Sequence, residues 1–493
     1  MRIFTFIFLL LFSTYNLLAQ GLSFDSVFPN NRIIPVEGKG FVLASAQAVD
    51  VDSVVLVYFG MDVQPVSTVT IPLRRKLGEL QLEDIFVWED KVVVLKSLFY
   101  PGQRRNHLLM YEYSLPDLEL LNSKQLTDAH HPPDLRLPFY YSLSPDHSKL
   151  LITSWSFFAS DSLAQMELLL FDQEWQKSET RIHQLPYKNE NISIYGCKID
   201  DAANCYLLGD VYTGKNINYA KPKEIKNFVI ASFQDTNGIH TYELEVPELT
   251  IDEWHFELDK QQNLVAISLY REGTKFLIEG SLFFRIDRLS KEISKSIQKV
   301  DKEAFVDAFA SNELGFRTPK NRFVSYVLSS VIVKEDAYYI VAENFNASAN
   351  ELRDILVMSI GLDGNLKWLK RLPKAQELGF GTNSFASFMT VDLKEELLFF
   401  YNGNTDNFEK EHGDKVKSTT ESNAAFCVTM LNLRNQKIVR QELSQVYPDG
   451  YIAVPELCKK VATNKVAVMT IRKDNNIRRS LHKYNVQILT VGK

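Results

Sequence analysis

The chain has 493 residues, of which 45% are hydrophobic and 24% are charged, and its formal net charge is −6. This composition is that of an ordinary globular protein able to bury a large core, and it does not indicate disorder. The mildly acidic balance argues against a nucleic-acid partner, because proteins that bind nucleic acids present basic patches to the phosphates.

The amino-terminal residues, MRIFTFIFLLLFSTYNLLAQG, have the organisation of an export signal. They carry Arg2, an apolar run from Ile3 to Phe12 and the small residue Ala19. This order predicts a secretory signal peptide that is cleaved after Ala19, and therefore a periplasmic or secreted protein. The run is too short to span a bilayer and no later run of about 20 apolar residues follows, so we expect no transmembrane segment after cleavage.

Turn-forming residues separate two apolar segments at eight places along the chain. At 88–97, for example, WEDKVVVLKS has Glu89 and Asp90 in the turn and a Val-rich strand after it. We name each such hairpin an elbow, and each predicts two antiparallel strands. The elbows recur at intervals of about 50 to 75 residues, the scale of a supersecondary repeat. They lie at 36–45, 88–97, 144–153, 198–209, 258–268, 333–343, 392–401 and 461–470.

A third apolar segment follows each elbow, and most lead through a turn into a fourth, more polar one. The third segments lie at 53–59, 107–113, 166–172, 227–233, 281–287, 354–360, 426–432 and 481–489. Four antiparallel strands per repeat predict a β-propeller. Nearly continuous apolar runs such as KVVVLKSLFY favour blades covered on both faces over a sandwich with one wet face. We therefore expect an all-β single domain over 20–493, with eight four-stranded blades, or seven as the alternative.

The last blade lacks a fourth strand at its own end of the chain. The segment LSFDSVF at 22–28 precedes the first repeat and has strand character. We expect this segment to complete the eighth blade and close the ring, because closure removes an open sheet edge.

Two segments near the middle of the chain carry helical patterns. In the fifth repeat, Ile293, Ile297 and Val300 fit a helical as well as a strand spacing, so that blade has three or four strands. The insert DKEAFVDAFASNELG at 301–315 predicts a short helix, with Asp301 as its N-cap. Its apolar stripe suits a lid packed on the propeller or a helix that binds a partner.

The connections of a propeller divide between its two faces. The elbows and the turns between third and fourth strands share one face, which we call the elbow face. The loops between second and third strands share the other, the long-loop face, with the connections between blades. The loops at 210–227 and 402–422 and the connection at 127–138 all belong to the long-loop face. Because long loops in compact domains are frequently functional, we predict a binding surface there.

Three pairs of arginines belong to the long-loop face of repeats one, two and eight, which become neighbours once the ring closes. Clustered guanidinium groups suit carboxylate, sulfate or phosphate, so the pairs predict docking of an anionic glycan or an acidic protein surface. Scattered surface arginines are the alternative. The pairs are Arg74 and Arg75, Arg104 and Arg105, and Arg478 and Arg479.

One group of residues resembles a metal site. His130, His131 and Asp134 lie close in sequence. Adjacent histidines point in different directions, however, so we favour a Pro-rich loop with exposed imidazoles and predict no metal.

The four cysteines suit an exported protein that can form disulfides. Cys197 and Cys205 flank one elbow and are a candidate disulfide, with two buried free thiols as the alternative. Cys427 and Cys458 lie in adjacent repeats and are a less favoured pair. No C-x-x-C spacing is present.

Familiar catalytic motifs are absent from the sequence. There is no G-x-S-x-G, no H-E-x-x-H and no G-x-x-x-x-G-K-[ST], so no active site or cofactor is predicted. We expect a non-enzymatic binding or scaffold propeller of the periplasm or cell envelope. The alternative is a carbohydrate-active hydrolase or lyase with its site at the mouth of the channel.

Some stretches resemble known proteins. The leader ending LLAQ resembles those of exported Bacteroidota proteins. The segments DILVMSIGLDGNLKWLKRLPKAQ and SFASFMTVDLKEELLFFYNGN are similar to those of uncharacterised exported β-propeller-like proteins of that phylum, most clearly over 330–405. The resemblance implies the fold and export but no catalytic residue. LDGNLKW also resembles part of a quinoprotein blade motif, but it occurs once, so we predict no quinone cofactor.

Overall fold

The fold is given by a computed structural model of the chain. It describes residues 22–26, 32–46, 53–73, 79–131, 137–156, 159, 161–212, 225–236, 238–244, 246, 249–272, 278–300, 326–346, 350–378, 385–407, 416–443, 451–472 and 482–491. Within these ranges the regular elements are β-strands and short 3-10 turns, and no helix there is long and apolar enough to cross a membrane.

The strands form eight antiparallel sheets, which we number as blades 1 to 8. Blades 1 to 4 each have four strands in sequence order. Blade 1 consists of Arg32–Val36, Gly40–Ala46, Ser53–Gly60 and Pro65–Pro72; blade 2 of Glu79–Trp88, Lys91–Tyr100, Arg105–Ser114 and Leu120–His130; blade 3 of Tyr140–Leu143, Leu150–Ser156, Leu163–Phe171 and Lys177–Lys188; and blade 4 of Ile192–Ile199, Cys205–Tyr212, Ile225–Ser232 and His240–Glu243.

Blades 5 to 8 follow the same order, with additions in blades 6 and 8. Blade 5 consists of Leu249–Leu258, Leu264–Glu272, Gly280–Ile286 and Ile293–Lys299; blade 6 of Tyr326–Val333, Ala337–Asn346, Glu351–Gly361 and Leu366–Leu372, with Gln376–Glu377 added; blade 7 of Met389–Asp392, Glu396–Asn404, Ala424–Asn432 and Ile438–Glu442; and blade 8 of a split first strand, Tyr451–Ala453 and Lys459–Ala462, then Lys465–Arg472, His482–Thr490 and Leu22–Ser26.

The sheets stand side by side, because alternate residues of one strand pack against different neighbours. In the second strand of blade 2, Val92 and Val94 join a cluster with blade 1, whereas Val93 and Leu95 join a cluster with blade 3. All four are at most 1% exposed. A further cluster lies between each remaining pair of neighbours, including blades 8 and 1. This arrangement is that of a β-propeller and explains the continuous apolar runs.

The radial order of the strands follows from contacts and exposure. First strands of neighbouring blades contact each other in several places, for example in blades 3 and 4 and in blades 5 and 6. Fourth strands alternate between exposed and half-buried residues, as Lys177–Lys188 does. The first strands therefore line the axis and the fourth strands form the outer rim.

The amino-terminal strand closes the ring, as the sequence predicts. Leu22–Ser26 pairs antiparallel with His482–Thr490 and forms the outer strand of blade 8. On the inner side, the backbone N–H of Gly38 donates to the carbonyl of Val461 at 3.1 Å, which ties blade 1 to blade 8. Closure in this way leaves no gap between the first and last blades.

The elbows of blades 4 and 5 show how the sequence makes these turns. Both have Asp followed four residues later by Asn, at Asp200 and Asn204 and at Asp259 and Asn263. In each, the Asp carboxylate accepts from the Asn backbone N–H at 2.8 Å and also from the Asn side-chain amide. The shared pattern is an Asx-type closure of the hairpin.

The open question in the fifth repeat is resolved in favour of a strand. Ile293–Lys299 pairs along its length with Gly280–Ile286, so blade 5 has four strands and the helical pattern is wrong there. The insert predicted as a helix at 301–315 lies outside the described residues.

Candidate functional site

The elbow face is tied together across all eight blade boundaries. In ring order, the contacts are Lys39 Nζ to the Asp90 carboxylate, Trp88 Nε1 to His147 O (2.7 Å), Asp146 N to Asp201 Oδ1 (2.9 Å), Asp201 N to Gln262 Oε1 (2.8 Å), Tyr338 OH to Asp259 Oδ2 (3.3 Å), Lys334 Nζ to the Asp392 carboxylate, Lys460 Nζ to Asp392 O (2.8 Å) and Gly38 N to Val461 O (3.1 Å). This belt fixes the elbow face as a rigid base.

The long-loop face carries the longer connections. The loop at 213–224 lies between the strand residues Tyr212 and Ile225, and the connection that includes 301–325 lies between the strand residues Lys299 and Tyr326. These two segments lie outside the described residues, so the described part of the face is its floor of strand ends and anchored loops. That floor is where buried polar side chains concentrate in blades 6 and 7.

A buried ion pair anchors the connection between blades 6 and 7. Lys374 pairs with Glu343, and their side chains are only 1% and 10% exposed. Lys374 Nζ also donates to Gln376 Oε1 at 2.6 Å, and Ser387 Oγ donates to Glu343 Oε2 at 3.0 Å. Burial lowers the pKa of the Lys374 ammonium, although the Glu343 carboxylate opposes that shift. Every charge in this group has a partner, which is what burial requires.

Two amides extend this network toward blade 8. Gln376 Nε2 donates to the carbonyl of Asn402 at 2.9 Å. Asn402 Nδ2 in turn donates to the carbonyls of Phe385 and Ala453, at 2.7 and 2.8 Å. Both side chains are fully buried. The connection is thus held against blades 6, 7 and 8 by hydrogen bonds, so this sector of the long-loop face has a fixed shape.

A second buried group lies in blade 6 beside the first. Arg371 Nε donates to Asp354 Oδ2 at 2.9 Å, and the Tyr326 hydroxyl donates to the same carboxylate. Burial, together with the Asp354 charge, raises the pKa of Tyr326 well above its ordinary value. The group satisfies its own charges internally. It therefore supports the floor of the face and offers no free reactive group.

Only one of the three predicted arginine pairs is described. Arg104 and Arg105 are both exposed, at the loop between the second and third strands of blade 2, which is on the long-loop face. Arg105 Nη1 lies 3.2 Å from Asp128 Oδ2. Arg74, Arg75, Arg478 and Arg479 lie outside the described residues, so their clustering with Arg104 and Arg105 stays a prediction.

The histidine pair next to this loop is less exposed than expected, since His130 is half-buried. His131 is buried, so the prediction of two exposed imidazoles is wrong for it. The imidazole Nδ1 of His131 accepts from the backbone N–H of Leu137 at 3.0 Å, and the backbone N–H of His131 donates to the carbonyl of Arg104 at 2.9 Å. His131 therefore holds the described ends of the connection between blades 2 and 3 together. Asp134 lies outside the described residues, among which no group of three side chains is placed to hold a metal ion.

All four cysteines are buried free thiols in this structure. Cys197 lies opposite Leu207 and Cys205 lies opposite Ile199, so the two are offset diagonally along neighbouring strands. At the candidate disulfide, the structure therefore has two buried free thiols, which is the alternative stated from the sequence. Burial raises the pKa of the Cys205 thiol to about 12, and it raises that of Cys197 as well. Neither thiol is ionised at neutral pH, which makes them unreactive.

Two carboxylates on the axial strands are paired with cations. Asp84 of blade 2 pairs with Arg32 of blade 1, and Glu257 of blade 5 lies 3.0 Å from Lys198 Nζ of blade 4. At the end of the second strand of blade 4, burial raises the pKa of Asp210, while a 2.5 Å hydrogen bond from Asn227 Nδ2 opposes the shift. Glycoside hydrolysis generally uses two carboxylates facing one bond. The axial pairs described above join opposite charges instead.

Comparisons with known proteins give likeness of fold. No family model matches the chain, and no curated relative matches it. Among solved structures, it is similar to the WD40 domain of SCAP from fission yeast, at 11% identity and TM-score 0.40, covering 95% of this chain and 98% of that one.

Two further structures are similar at the same level. One is the β-propeller domain of the Trilobed protease from Pyrococcus furiosus, at 10% identity and TM-score 0.38, covering 84% of this chain and 96% of that one. The other is prolyl oligopeptidase B from Galerina marginata, at 9% identity and TM-score 0.42, covering 91% and 54%. The eight-bladed assignment therefore rests on the strand pairing of the chain itself.

Proposed function

We propose that this protein is an exported, non-enzymatic binding propeller of the periplasm or cell envelope, and that it binds its partner through the long-loop face. The observation that carries the proposal is the contrast between the two faces. Every blade boundary on the elbow face is closed by a direct contact, whereas the opposite face carries the longer connections. A rigid ring with variable loops on one side is a common basis for recognition.

The floor of the long-loop face supports this role. The connection between blades 6 and 7 is fixed by the Lys374 and Gln376 network, in which both of these side chains hydrogen-bond within the protein. A surface that is held in shape before binding loses less conformational entropy when a partner docks. This part of the face is thus suited to holding a partner in a defined orientation.

The chemistry of the partner is proposed from the exposed arginines. Arg104 and Arg105 project from one loop of blade 2, and Arg105 has an acidic partner, Asp128, at 3.2 Å. Guanidinium groups bind planar anions through two hydrogen bonds. We therefore propose an anionic partner, either an acidic protein surface or an anionic glycan of the envelope.

Export is proposed on the leader sequence. Arg2, the apolar run that follows it and Ala19 have the order of a cleaved signal peptide. A hydrolase or lyase at the mouth of the channel has less support, because Asp84 and Glu257 on the axial strands are paired with cations.

Site-specific photo-crosslinking in the producing cells tests the binding face. A photoreactive side chain is placed at Gln103, which is exposed on the long-loop face, and in a matched protein at Glu335, which is exposed in the elbow of blade 6. We expect a discrete crosslinked species from position 103 and none from position 335. Crosslinking from position 335 alone, or from neither position, would contradict the proposed face.

Removing charge from the long-loop face tests whether the partner is anionic, independently of whether this face is the binding face. Arg104→Gln and Arg105→Gln together remove two cations. We expect the yield of crosslinking from position 103 to fall, and the remaining yield to depend less on salt concentration. If the crosslink persists unchanged, the long-loop face is still the binding face but the anionic partner is wrong.

A further inference from the structure

Blade 2 is longer than blade 1, and none of the described strands of blade 1 covers the part of its face that extends beyond them. Its strands have 10 or 11 residues, whereas those of blade 1 have 5 to 8. The two blades are aligned at the elbow face, where Lys39 contacts Asp90. The additional residues of the blade 2 strands therefore extend beyond blade 1 at the long-loop face.

A groove of about 280 Å³ lies on this projecting part. Val92 and Val94 face the core shared with blade 1, and the same face of that strand continues past them to Leu98 and Tyr100. His107 pairs with Leu98 across the two strands, so it shares this face. The lining residues are Leu98, Tyr100, His107, Leu109, Met110, Tyr111, Ser123, Lys124 and Gln125.

The aromatic wall of the groove is held in place by its neighbours. Tyr100 and His107 form an edge-to-face pair with ring centroids 5.4 Å apart. Lys96 Nζ lies 3.9 Å from the centroid of the Tyr111 ring and 3.4 Å from the carbonyl of Pro72 in blade 1. These contacts orient the rings before any ligand arrives, which lowers the entropic cost of binding.

One ring nitrogen of the wall has no hydrogen-bond partner among the residues that the structure describes. The Nδ1 of His107 is buried and makes no hydrogen bond. His107 is half-buried and lines the groove, although this nitrogen is not exposed to it. On the outer strand, Ser123 and Gln125 are exposed and add a hydroxyl and an amide to the opposite edge.

We propose that this groove binds one sugar ring. A pyranose has apolar C–H faces that suit aromatic rings and a rim of hydroxyls that both donate and accept. The hydroxyls suit the His107 imidazole in either tautomer, and they suit the Gln125 amide and the Ser123 hydroxyl. A purely aromatic ligand would place an apolar edge against these polar groups. The volume is near the lower end of small-ligand pockets, which limits the ligand to about one ring.

The sugar site is separate from the proposed partner-binding function, so either can fail alone. Saturation-transfer NMR and calorimetry with the methyl glycosides of glucose, galactose, mannose and N-acetylglucosamine measure binding to the intact protein. Gln125→Trp fills the groove from an exposed position. Gln184→Trp is the matched control, because Gln184 is exposed on the outer strand of blade 3.

We expect at least one glycoside to bind the unaltered protein and the Gln184→Trp protein equally, and to show no binding to Gln125→Trp. His107→Phe keeps the ring pair with Tyr100 but removes the nitrogen, and we expect binding about tenfold weaker. Absence of binding by all four glycosides, binding unaffected by Gln125→Trp, or binding of phenol in their place would overturn the proposal.

Discussion

Replacing Lys374 with methionine tests whether the connection between blades 6 and 7 is docked. The Lys374 side chain is 1% exposed and that of Glu343 is 10% exposed. Lys374→Met leaves the Glu343 carboxylate buried without its ammonium partner. Removing one member of a buried ion pair costs about 3–5 kcal/mol, so we expect the free energy of unfolding to fall by that amount. Urea unfolding followed by tryptophan fluorescence measures it.

The structure supplies a matched control and a rescue. Lys417 pairs with Asp406, and both side chains are 57% exposed, so Lys417→Met is expected to cost about 0–1 kcal/mol. Adding Glu343→Gln to Lys374→Met removes the orphaned charge and is expected to recover about 2 kcal/mol. Equal losses for Lys374→Met and Lys417→Met would refute the docked connection, and so would a double variant no more stable than the single one.

Three other predictions concern pH, thiols and export. Burial holds the pKa of both His183 and His255 below 6.5, so the unfolded chain binds protons first as the pH falls. We expect the free energy of unfolding to decrease from about pH 7 to about pH 5, and less steeply with both histidines changed to Gln; equal slopes would contradict this. Thiol titration should find four reactive cysteines in denaturant and almost none in the native protein, whereas a disulfide would lower the denatured count to two. Amino-terminal sequencing of the exported protein should begin at Gln20, and an intact leader would refute cleavage after Ala19.

The strand order of the ring could be predicted because it depends on local patterns. Each elbow places turn residues between two apolar strands, and this signal is contained within about ten residues. The closing strand at Leu22–Ser26 could be predicted from an unpaired edge in blade 8. Both inferences use the rule that sheet edges are covered, which holds without knowledge of distant contacts.

The fourth strand of blade 5 shows why one local pattern was ambiguous. Ile293 and Ile297 are four residues apart, which is one helical turn and also two full periods of a strand. They are 40% and 42% exposed, so both point to the same solvent side of an outer strand. Pairing with Gly280–Ile286 decides the structure, and the sequence of the segment alone does not contain that partner.

The candidate sites were less predictable because they depend on contacts between distant residues. Glu343 lies in the second strand of blade 6 and Lys374 in the connection that follows this blade, and nothing in the sequence near either one signals the other. His131 looked exposed because its neighbours are polar and Pro-rich, yet the backbone of Leu137 turns back to donate to it. The groove beside His107 arises from unequal strand lengths in two blades, a comparison that requires exact strand ends.

The closed ring is the claim on which the two faces and both binding proposals depend. A chain that begins at residue 32 lacks the strand Leu22–Ser26, and a synthetic peptide of residues 20–31 can replace it. We predict a lower thermal midpoint for the shortened chain, restored by the peptide but not by a scrambled peptide of the same composition. An unchanged midpoint, with no binding of the peptide, would contradict closure of the ring by this strand.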